Sequence, residues 1–256
     1  MIIKLVSFPY WDPNKEHLTT KQRDLRISVA SKILNEKDTD FVMFSEWIFD
    51  TPKDLDIVCQ SVHNKKVTAL FELALPGDLE GNHLYLLQNG KIKDLKTCQI
   101  FCESKDATKA NIERLIVELE KHKCFIVNGK RFIVFQCGEN LILKTQRDEK
   151  NKAVFRLQDR ELKKRFDKVL NEADVILNPV HQRWKRFYDL SCRLFKFSEQ
   201  NRYCFYCTQL EGNMLDNAHK NPDKNSAQRA MKSRRILKPI DPDKSNQDYL
   251  LRVYKI

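Results

Sequence analysis

The sequence consists of short apolar runs of strand length that alternate with segments of helical period. Strand-like runs cover about residues 2–8, 40–45, 131–135 and 174–178, and they are rich in β-branched and aromatic residues. Apolar side chains recur at helical spacing over about residues 19–35, 51–62, 108–122, 160–171 and 184–200. Strands that interleave with helices predict an α/β fold, and because nothing in the composition splits the chain, we expect one domain over residues 1–256.

Two hairpin signals interrupt this alternation. Asn89-Gly90 and Asn128-Gly129 each lie between two strand-like runs, and Asn-Gly is the dipeptide that a two-residue hairpin turn favours. Hairpins add antiparallel strands to a sheet that is otherwise parallel. The sequence therefore predicts mixed sheets.

Composition places the chain among globular proteins and excludes several classes. Hydrophobic residues make up 41% and charged residues 32% of the 256 positions, which is not the balance of a disordered chain. No apolar run has the length of a membrane span. The first residues are strand-like and too short for a secretory signal, so we expect a cytoplasmic protein with no membrane partner.

The eight cysteines are scattered along the chain and predict reduced thiols more than a disulfide framework. Cys204 and Cys207 form a CxxC, but they lie in a strand-like run, where residues three apart point to opposite faces. No second pair lies at the spacing of a zinc finger. We therefore expect no metal site and no cofactor.

One thiol stands out by its position. The apolar run that begins at Arg131 ends at Cys137-Gly138-Glu139-Asn140. The carboxyl end of a buried strand is where α/β proteins place reactive groups, and a glycine directly after it permits a sharp turn and close approach of a substrate. This pattern favours Cys137 as a nucleophile, while a small buried hydrophobe is the alternative.

Two further polar residues lie where strand-like runs end, namely Glu46 and Lys96. Together with Cys137 they form a chemically complete set. The carboxylate can take the thiol proton and return it to a leaving amine, and the ammonium can stabilise a thiolate or an oxyanion. The backbone N–H of Gly138 is a candidate second oxyanion donor. Each residue also has a structural alternative: Glu46 as a charge at a helix entry, Lys96 as a solvated hairpin end and Cys137 as a core thiol.

Five sequence blocks, in order, resemble the nitrilase (carbon–nitrogen hydrolase) superfamily. They are the strand ending at Glu46, the hairpin from Asn82 into Leu95-Lys96-Thr97, Cys137-Gly138-Glu139-Asn140, the run Ala173 to Pro179, and Lys196-Phe-Ser-Glu199-Gln200. The order Glu, Lys, Cys and the spacings between these residues agree with that family. One block alone has low specificity for the family, whereas five blocks in the same order are fairly specific.

The resemblance implies a four-layer αββα sandwich with a Glu–Lys–Cys triad at the strand ends. It implies that Glu46 is the base, Lys96 the oxyanion stabiliser and Cys137 the nucleophile of a hydrolase without a metal or organic cofactor. The expected substrate is a small molecule with a non-peptide C–N bond, an amide more than a nitrile, cleaved through a thioester. Transfer of the acyl group to an amine is left open. A further carboxylate is expected near Glu103, and Trp184 is a candidate pocket wall.

The chain departs from the family pattern at Ser45, Lys196 and Gln200, and in a divergent basic segment at about 213–240. Seven basic residues against one acid lie between Lys220 and Lys238, in a chain of net charge +11. A mobile solvated loop is favoured there over a nucleic-acid surface. A protein with mainly a binding role is the alternative function, and a homodimer is a further option. His181 is expected to be a satisfied side chain more than a catalytic one.

Overall fold

The computed structural model describes residues 1–12, 16–74, 82–146, 152–181, 187–211, 227–240 and 248–256. In chain order the elements are β1 (Ile2–Ser7), α1 (Thr20–Leu34), β2 (Phe41–Phe44), α2 (Pro52–Ser61), β3 (Thr68–Ala74), β4 (Asn82–Gln88), β5 (Lys91–Asp94), α3 (Lys109–Lys121), β6 (Cys124–Val127), β7 (Lys130–Val134), a short 3-10 helix (Cys137–Ile142), β8 (Leu143–Thr145), β9 (Ala153–Phe155), α4 (Arg160–Glu172), β10 (Val175–Val180), α5 (Phe187–Phe197), β11 (Tyr203–Thr208), β12 (Gln228–Lys232), β13 (Arg235–Ile236) and β14 (Leu250–Lys255).

The strands form two six-stranded mixed sheets. Sheet one has the order β14-β1-β2-β3-β4-β5 and sheet two the order β13-β12-β11-β10-β7-β6. The central strands β1, β2 and β3 are parallel, as are β7, β10 and β11, and antiparallel neighbours flank both sets. Each sheet therefore presents the carboxyl ends of three parallel strands along one edge. Strands β8 and β9 pair separately.

Three apolar cores show that the sheets stack between helices. One core mixes residues of both sheets, for example Leu5 and Met43 with Val134 and Leu177. A second joins the outer face of sheet one to α1 and α2. The third joins the outer face of sheet two to α3, α4 and α5. The layer order is thus helix, sheet, sheet, helix, and the predicted α/β class with mixed sheets is confirmed.

Local signals explain where the elements start. Thr19 and Gln22 form a capping box at the start of α1, and Thr51 caps α2 ahead of Pro52 at its first position. Both predicted hairpins are present, since Asn89-Gly90 joins β4 to β5 and Asn128-Gly129 joins β6 to β7. All four turn residues have positive φ, as this turn requires.

The sequence interpretation was wrong in two loops. Part of the polar segment 144–158 pairs as β8 and β9. In the basic segment, residues 228–232 form β12 within sheet two, with Gln228, Ala230 and Met231 buried. A strand whose outer positions are basic looks like a loop by composition. The rest of that segment, from residue 213 to 226, lies outside the described residues.

The CxxC pair behaves as predicted for a strand. Cys204 packs in the core under the helices of sheet two, and Cys207 packs in the core between the sheets. Within the described residues, no helix is both long enough and apolar enough to cross a membrane.

Candidate active site

The candidate site lies where the strand ends of the two sheets meet. Glu46 follows β2 of sheet one, Cys137 follows β7 of sheet two, and His181 follows β10 of sheet two. Their ligand atoms, a carboxylate oxygen, Sγ and a ring nitrogen, all lie within 4.8 Å of one another. Two of the three predicted catalytic residues, Glu46 and Cys137, are therefore together, and a histidine joins them.

Glu46 is fully buried and both of its carboxylate oxygens are engaged. The backbone N–H of Cys137 donates to Oε1 at 2.5 Å, and Nδ1 of His181 lies 3.0 Å from Oε2. The backbone carbonyl of Glu46 accepts from Nε2 of Gln209 at 2.9 Å, and Gln209 follows β11 of sheet two. These contacts tie the end of β2 to sheet two.

Cys137 has a strained and tightly held backbone. Its φ is +34°, a left-handed conformation that non-glycine residues rarely adopt. Its carbonyl accepts from Nδ2 of Asn140 at 3.0 Å and from Nδ2 of Asn178 at 3.2 Å. Asn178 also donates to the carbonyl of Phe135 at 2.6 Å. Two side-chain amides thus fix the turn that carries the thiol.

Position 138 requires glycine because another chain segment packs too closely for a side chain to fit. A Cβ placed there would come within 2.2 Å of the carbonyl oxygen of Cys102. The loop after β5 therefore packs directly on the thiol-bearing turn. The N–H of Ile100 in the same loop donates to Oε1 of Glu139 at 2.7 Å, which fastens the loop to the 3-10 helix.

Burial keeps the thiol protonated. It raises the pKa of the Cys137 thiol well above the usual range, and the carboxyl groups of Glu46 and Glu72 raise it further. A hydrogen bond from the backbone N–H of His181 to the sulfur acts in the opposite direction. The resting site therefore contains a thiol, and a thiolate forms only when another group takes the proton.

A second carboxyl group lies behind the first. Glu72, in β3, is buried beside Glu46. Burial raises the pKa of Glu72 strongly, and the neighbouring Glu46 raises it further. Because two neighbouring buried carboxylates cannot both carry charge, Glu72 is the member of the pair that keeps its proton.

A buried lysine is paired with a carboxylate of the 3-10 helix. Nζ of Lys123 lies 2.5 Å from Oε1 of Glu139, and both side chains are fully buried. The same carboxylate accepts the N–H of Gln136 at 2.9 Å. This pair holds the start of the 3-10 helix, so Glu139 has a structural role in the Cys137-Gly138-Glu139-Asn140 block.

The structure does not bring Lys96 to this cluster. Lys96 ends the β4–β5 hairpin with φ +53° and its side chain is exposed. Its backbone N–H donates to Oδ1 of Asp94 at 2.7 Å. Among the described residues, the Lys96 ammonium makes no ion pair or hydrogen bond with Glu46 or Cys137.

The other predicted substrate-binding side chains are Glu103 and Trp184. Glu103 is exposed and pairs with Lys105 at 3.0 Å, on the loop that covers Gly138. Trp184 lies outside the described residues.

His181 is the site residue that the sequence interpretation set aside. Its ring stacks on the indole of Trp47, with centroids 4.0 Å apart and an interplanar angle of 13°, and 19% of its side chain is exposed. The available signal was its place directly after β10, which is the same relation that marked Glu46 and Cys137.

No protein-family model matches the sequence, and no curated protein matches it either. Solved structures do match. An amidase from Nesterenkonia sp. AN1, with acrylamide added at its active-site cysteine, is 11% identical with a TM-score of 0.55 over 100% of this chain and 93% of that one. The same amidase in complex with butyramide is 11% identical with a TM-score of 0.53, over 99% and 89%. A CN-hydrolase superfamily protein from Xanthomonas campestris, with an arsenic adduct in its active site, is 12% identical with a TM-score of 0.55, over 99% and 90%.

These structures define a class by fold: the chain has the fold of the nitrilase superfamily. The similarity extends over the whole length of the chain, which confirms the four-layer fold that the resemblance implied. The solved structures with this fold include amidases.

Proposed function

We propose that this protein is a cysteine-dependent hydrolase that cleaves a non-peptide C–N bond of a small amide. The observation that carries the proposal is that Glu46, after β2 of sheet one, meets Cys137, after β7 of sheet two. The backbone N–H of Cys137 donates to Oε1 of Glu46 at 2.5 Å, on a turn with strained backbone. A buried thiol beside a buried carboxylate is costly for stability and is the arrangement that thiol catalysis needs.

In the proposed reaction the thiol proton of Cys137 is removed with the help of Glu46, and sulfur attacks the amide carbon. The C–S bond forms while the carbonyl becomes an oxyanion. The oxyanion then collapses, the C–N bond breaks, and the amine leaves with a proton. Water attacks the resulting thioester, releases the acid and returns the proton to the thiol. No metal or organic cofactor is part of this scheme.

Several roles within this scheme stay predictions. The N–H of Gly138 is the proposed oxyanion donor next to the nucleophile. Lys96 is predicted by resemblance to stabilise the oxyanion, although its ammonium is exposed in this structure. Glu103 and Trp184 are predicted to act in substrate binding.

Amides are preferred to nitriles as the substrate class because of the neighbouring structures. The Nesterenkonia amidase has been seen with butyramide and with acrylamide. Both are small primary amides, and a panel of such compounds is the natural first set for this protein.

The test is detection of an acyl group on Cys137. The protein is mixed with each amide, quenched in acid and digested, and the peptide containing Cys137 is weighed. We expect an acyl adduct on that peptide and ammonia in solution. Cys137→Ala should abolish both, whereas Cys59→Ala, which removes a half-buried thiol on α2, should change neither. Turnover by Cys137→Ala at the rate of the parent protein would contradict the proposal.

Acyl transfer to an amine proceeds through the same thioester. Product analysis with an added amine separates the outcomes, since an N-acyl product at the expense of free acid indicates transfer. Binding of nucleic acid or of an acidic partner through residues 220–238 stays a prediction. It is tested by heparin elution, which should occur at lower salt when Arg234 and Arg235 are replaced by Glu if this surface binds polyanions.

A further inference from the structure

His181 occupies a position that the proposed reaction has not yet used. Its Nδ1 lies 3.0 Å from Oε2 of Glu46, and a ring nitrogen lies within 4.8 Å of Sγ of Cys137. The indole of Trp47 stacks on the ring and fixes its plane. The imidazole therefore lies beside both the buried carboxylate and the thiol, and 19% of its side chain is exposed.

Glu46 itself is poorly placed to receive the thiol proton directly. Its Oε1 accepts the backbone N–H of Cys137 and its Oε2 faces His181, so both carboxylate oxygens already have partners. Within the described part of the chain, no hydrogen bond joins Sγ of Cys137 to Glu46. The carboxylate thus contacts the main chain of the nucleophile and the side chain of the histidine.

We propose that His181 is the group that carries the proton in this site, with Glu46 as the carboxylate that orients its ring and stabilises its positive charge. This inference rests on the proposed function, in which Cys137 is the nucleophile. It assigns to a histidine a role that the resemblance divides between a glutamate and a lysine. It also gives the site a cation, which the exposed Lys96 does not provide in this structure.

The proton and the bonds balance in this scheme. Nδ1–H of His181 donates to Glu46, and Nε2 takes the thiol proton as the C–S bond forms and the carbonyl oxygen gains the electron pair. Nε2–H then protonates the amine nitrogen as the C–N bond breaks. In the second half, Nε2 takes a proton from the attacking water, a C–O bond forms and the C–S bond breaks. The sulfur leaves as a thiolate and recovers a proton from the imidazolium.

The ionisable groups that face His181 come from three elements. Glu46 follows β2 and contacts Nδ1, Cys137 follows β7, and Glu72 of β3 lies behind Glu46. Of these groups, Glu46 is the one that contacts a ring nitrogen at hydrogen-bonding distance. The aromatic face of Trp47 stacks on the ring.

Alkylation of Cys137 tests the role without a known substrate. The protein is treated with iodoacetamide from pH 5 to 9, and modification of the Cys137 peptide is followed by mass spectrometry. We expect the alkylation rate to change with pH through an inflection that depends on His181. His181→Gln keeps a donor toward Glu46 but cannot carry a proton. It should lose the inflection and slow alkylation at pH 7 by about 100-fold, the lower range for acid–base catalysis.

His63→Gln is the matched control, because His63 is exposed and lies beside Asn35 at the end of α2. It should leave the profile unchanged. The urea midpoint of each variant shows that the fold is retained. Once an amide substrate is found, His181→Gln should lower kcat more than it raises KM, because the ring acts on the reacting atoms.

Three results would overturn the inference. An unchanged profile in His181→Gln, with slow alkylation in Glu46→Gln, would mean that Glu46 takes the proton directly. Loss of the inflection in Lys96→Ala but not in His181→Gln would assign the role to the lysine. Slow alkylation in His181→Gln with the inflection retained would indicate a structural role only. A histidine-dependent profile without any acyl adduct would instead contradict the proposed hydrolase and leave the proton role of His181 standing.

Discussion

Gly138 shows how one missing side chain determines the site. The carbonyl oxygen of Cys102 occupies the space in which a Cβ would lie. We expect Gly138→Ala to lower the free energy of unfolding by about 1–3 kcal/mol, since backbone atoms must shift to admit the methyl group. The same shift should slow alkylation of Cys137. Urea unfolding and iodoacetamide labelling measure the two effects.

Gly129→Asn is the comparison for this prediction. Gly129 has φ +75°, and a Cβ added there would have no other atom within 4 Å, while asparagine tolerates a left-handed backbone. Gly129→Asn should lower the free energy of unfolding clearly less than Gly138→Ala does. Equal losses in the two variants would contradict a cost that comes from the contact with Cys102.

Glu72 gives the protein a pH dependence with a defined sign. Because its pKa is raised in the folded state by burial and by Glu46, the folded state holds a proton that the unfolded chain releases above about pH 4.3. Its contribution to stability is full below that pH and is lost as the pH rises toward the folded pKa. Glu72→Gln removes this dependence.

The measurement is urea unfolding of both proteins at pH 5 and pH 8. We expect Glu72→Gln to be stabilised relative to the parent protein, and more so at pH 8 than at pH 5. A gain that is the same at both pH values would mean that Glu72 does not hold a proton in the fold.

The sequence predicted Glu46 and Cys137 for a physical reason. Each follows a buried strand, and the carboxyl ends of parallel strands meet at one edge of a sheet. Lys96 follows a hairpin strand instead, and the direction of its side chain depends on a positive φ that residue type does not reveal. His181 had the favourable position, but its contact with Glu46 depends on how two sheets stack, which a single sequence does not show.

At the scale of elements, α1 is joined to the site by one buried cation. Arg26 donates to the carbonyls of Trp47, Ile48 and Pro9 at 2.8–2.9 Å. These carbonyls belong to the loops that follow β1 and β2. Burial lowers the pKa of Arg26 to about 10, so the guanidinium stays charged at neutral pH. The helix thereby holds the segment that contains Glu46 and Trp47.

We expect Arg26→Met to lower the free energy of unfolding by about 3 kcal/mol or more, since it leaves three buried carbonyls without a donor. It should also slow alkylation of Cys137, because Trp47 supports the ring of His181. Lys21→Met, at an exposed position of the same helix, should be nearly neutral. Urea unfolding with iodoacetamide labelling checks both parts, and full reactivity in Arg26→Met would show that the loop keeps its place without the arginine.

Elements differ in how far they could be predicted. Helices such as α2 could be predicted because a cap at Thr51, a proline at position 52 and an apolar stripe along the helix all indicate the same element. Strand β12 was not, since Gln228, Arg229 and Lys232 give it the composition of a loop. Its buried glutamine is explained only by partners on the other sheet, and such tertiary contacts override local propensity.

For the whole molecule, a polar contact in the interior joins the two sheets. Nε2 of Gln228, in sheet two, lies 3.1 Å from the carbonyls of Leu5 and Leu250 and 3.0 Å from Oγ of Ser7, all in sheet one. Oγ of Ser7 in turn lies 3.2 Å from Sγ of Cys207. Directional bonds of this kind fix one sheet against the other where apolar packing alone permits sliding.

We expect Gln228→Leu to lower the free energy of unfolding by about 1–3 kcal/mol, the cost of leaving buried acceptors without their donor. The exposed Gln60→Leu on α2 should change stability little. If the polar contact also sets the register of the sheets, Cys137 in Gln228→Leu should be alkylated more slowly before any unfolding is detected by circular dichroism. A stability equal to that of the parent protein would contradict the prediction.

The four-layer arrangement was predicted from the family resemblance and not from any local sequence pattern. Alternating strands and helices gave the α/β class and the hairpins gave mixed sheets, but two stacked six-stranded sheets and one twelve-stranded sheet have the same elements. What decides between them is the shared core of Leu5, Met43, Val134 and Leu177, which is a property of packing and not of local pattern.

The site draws its groups from opposite halves of the sandwich, with Glu46 on one sheet and Cys137 and His181 on the other. The spacing between the two sheets therefore affects the rate of the proposed reaction. The 3.0 Å bond between His181 and Glu46 spans the interlayer gap, so compression by pressure, or a side chain that is too large in the core between the sheets, is transmitted to proton transfer. Residues far from Cys137 then tune catalysis by setting a spacing, and inactivation should precede melting when that spacing changes.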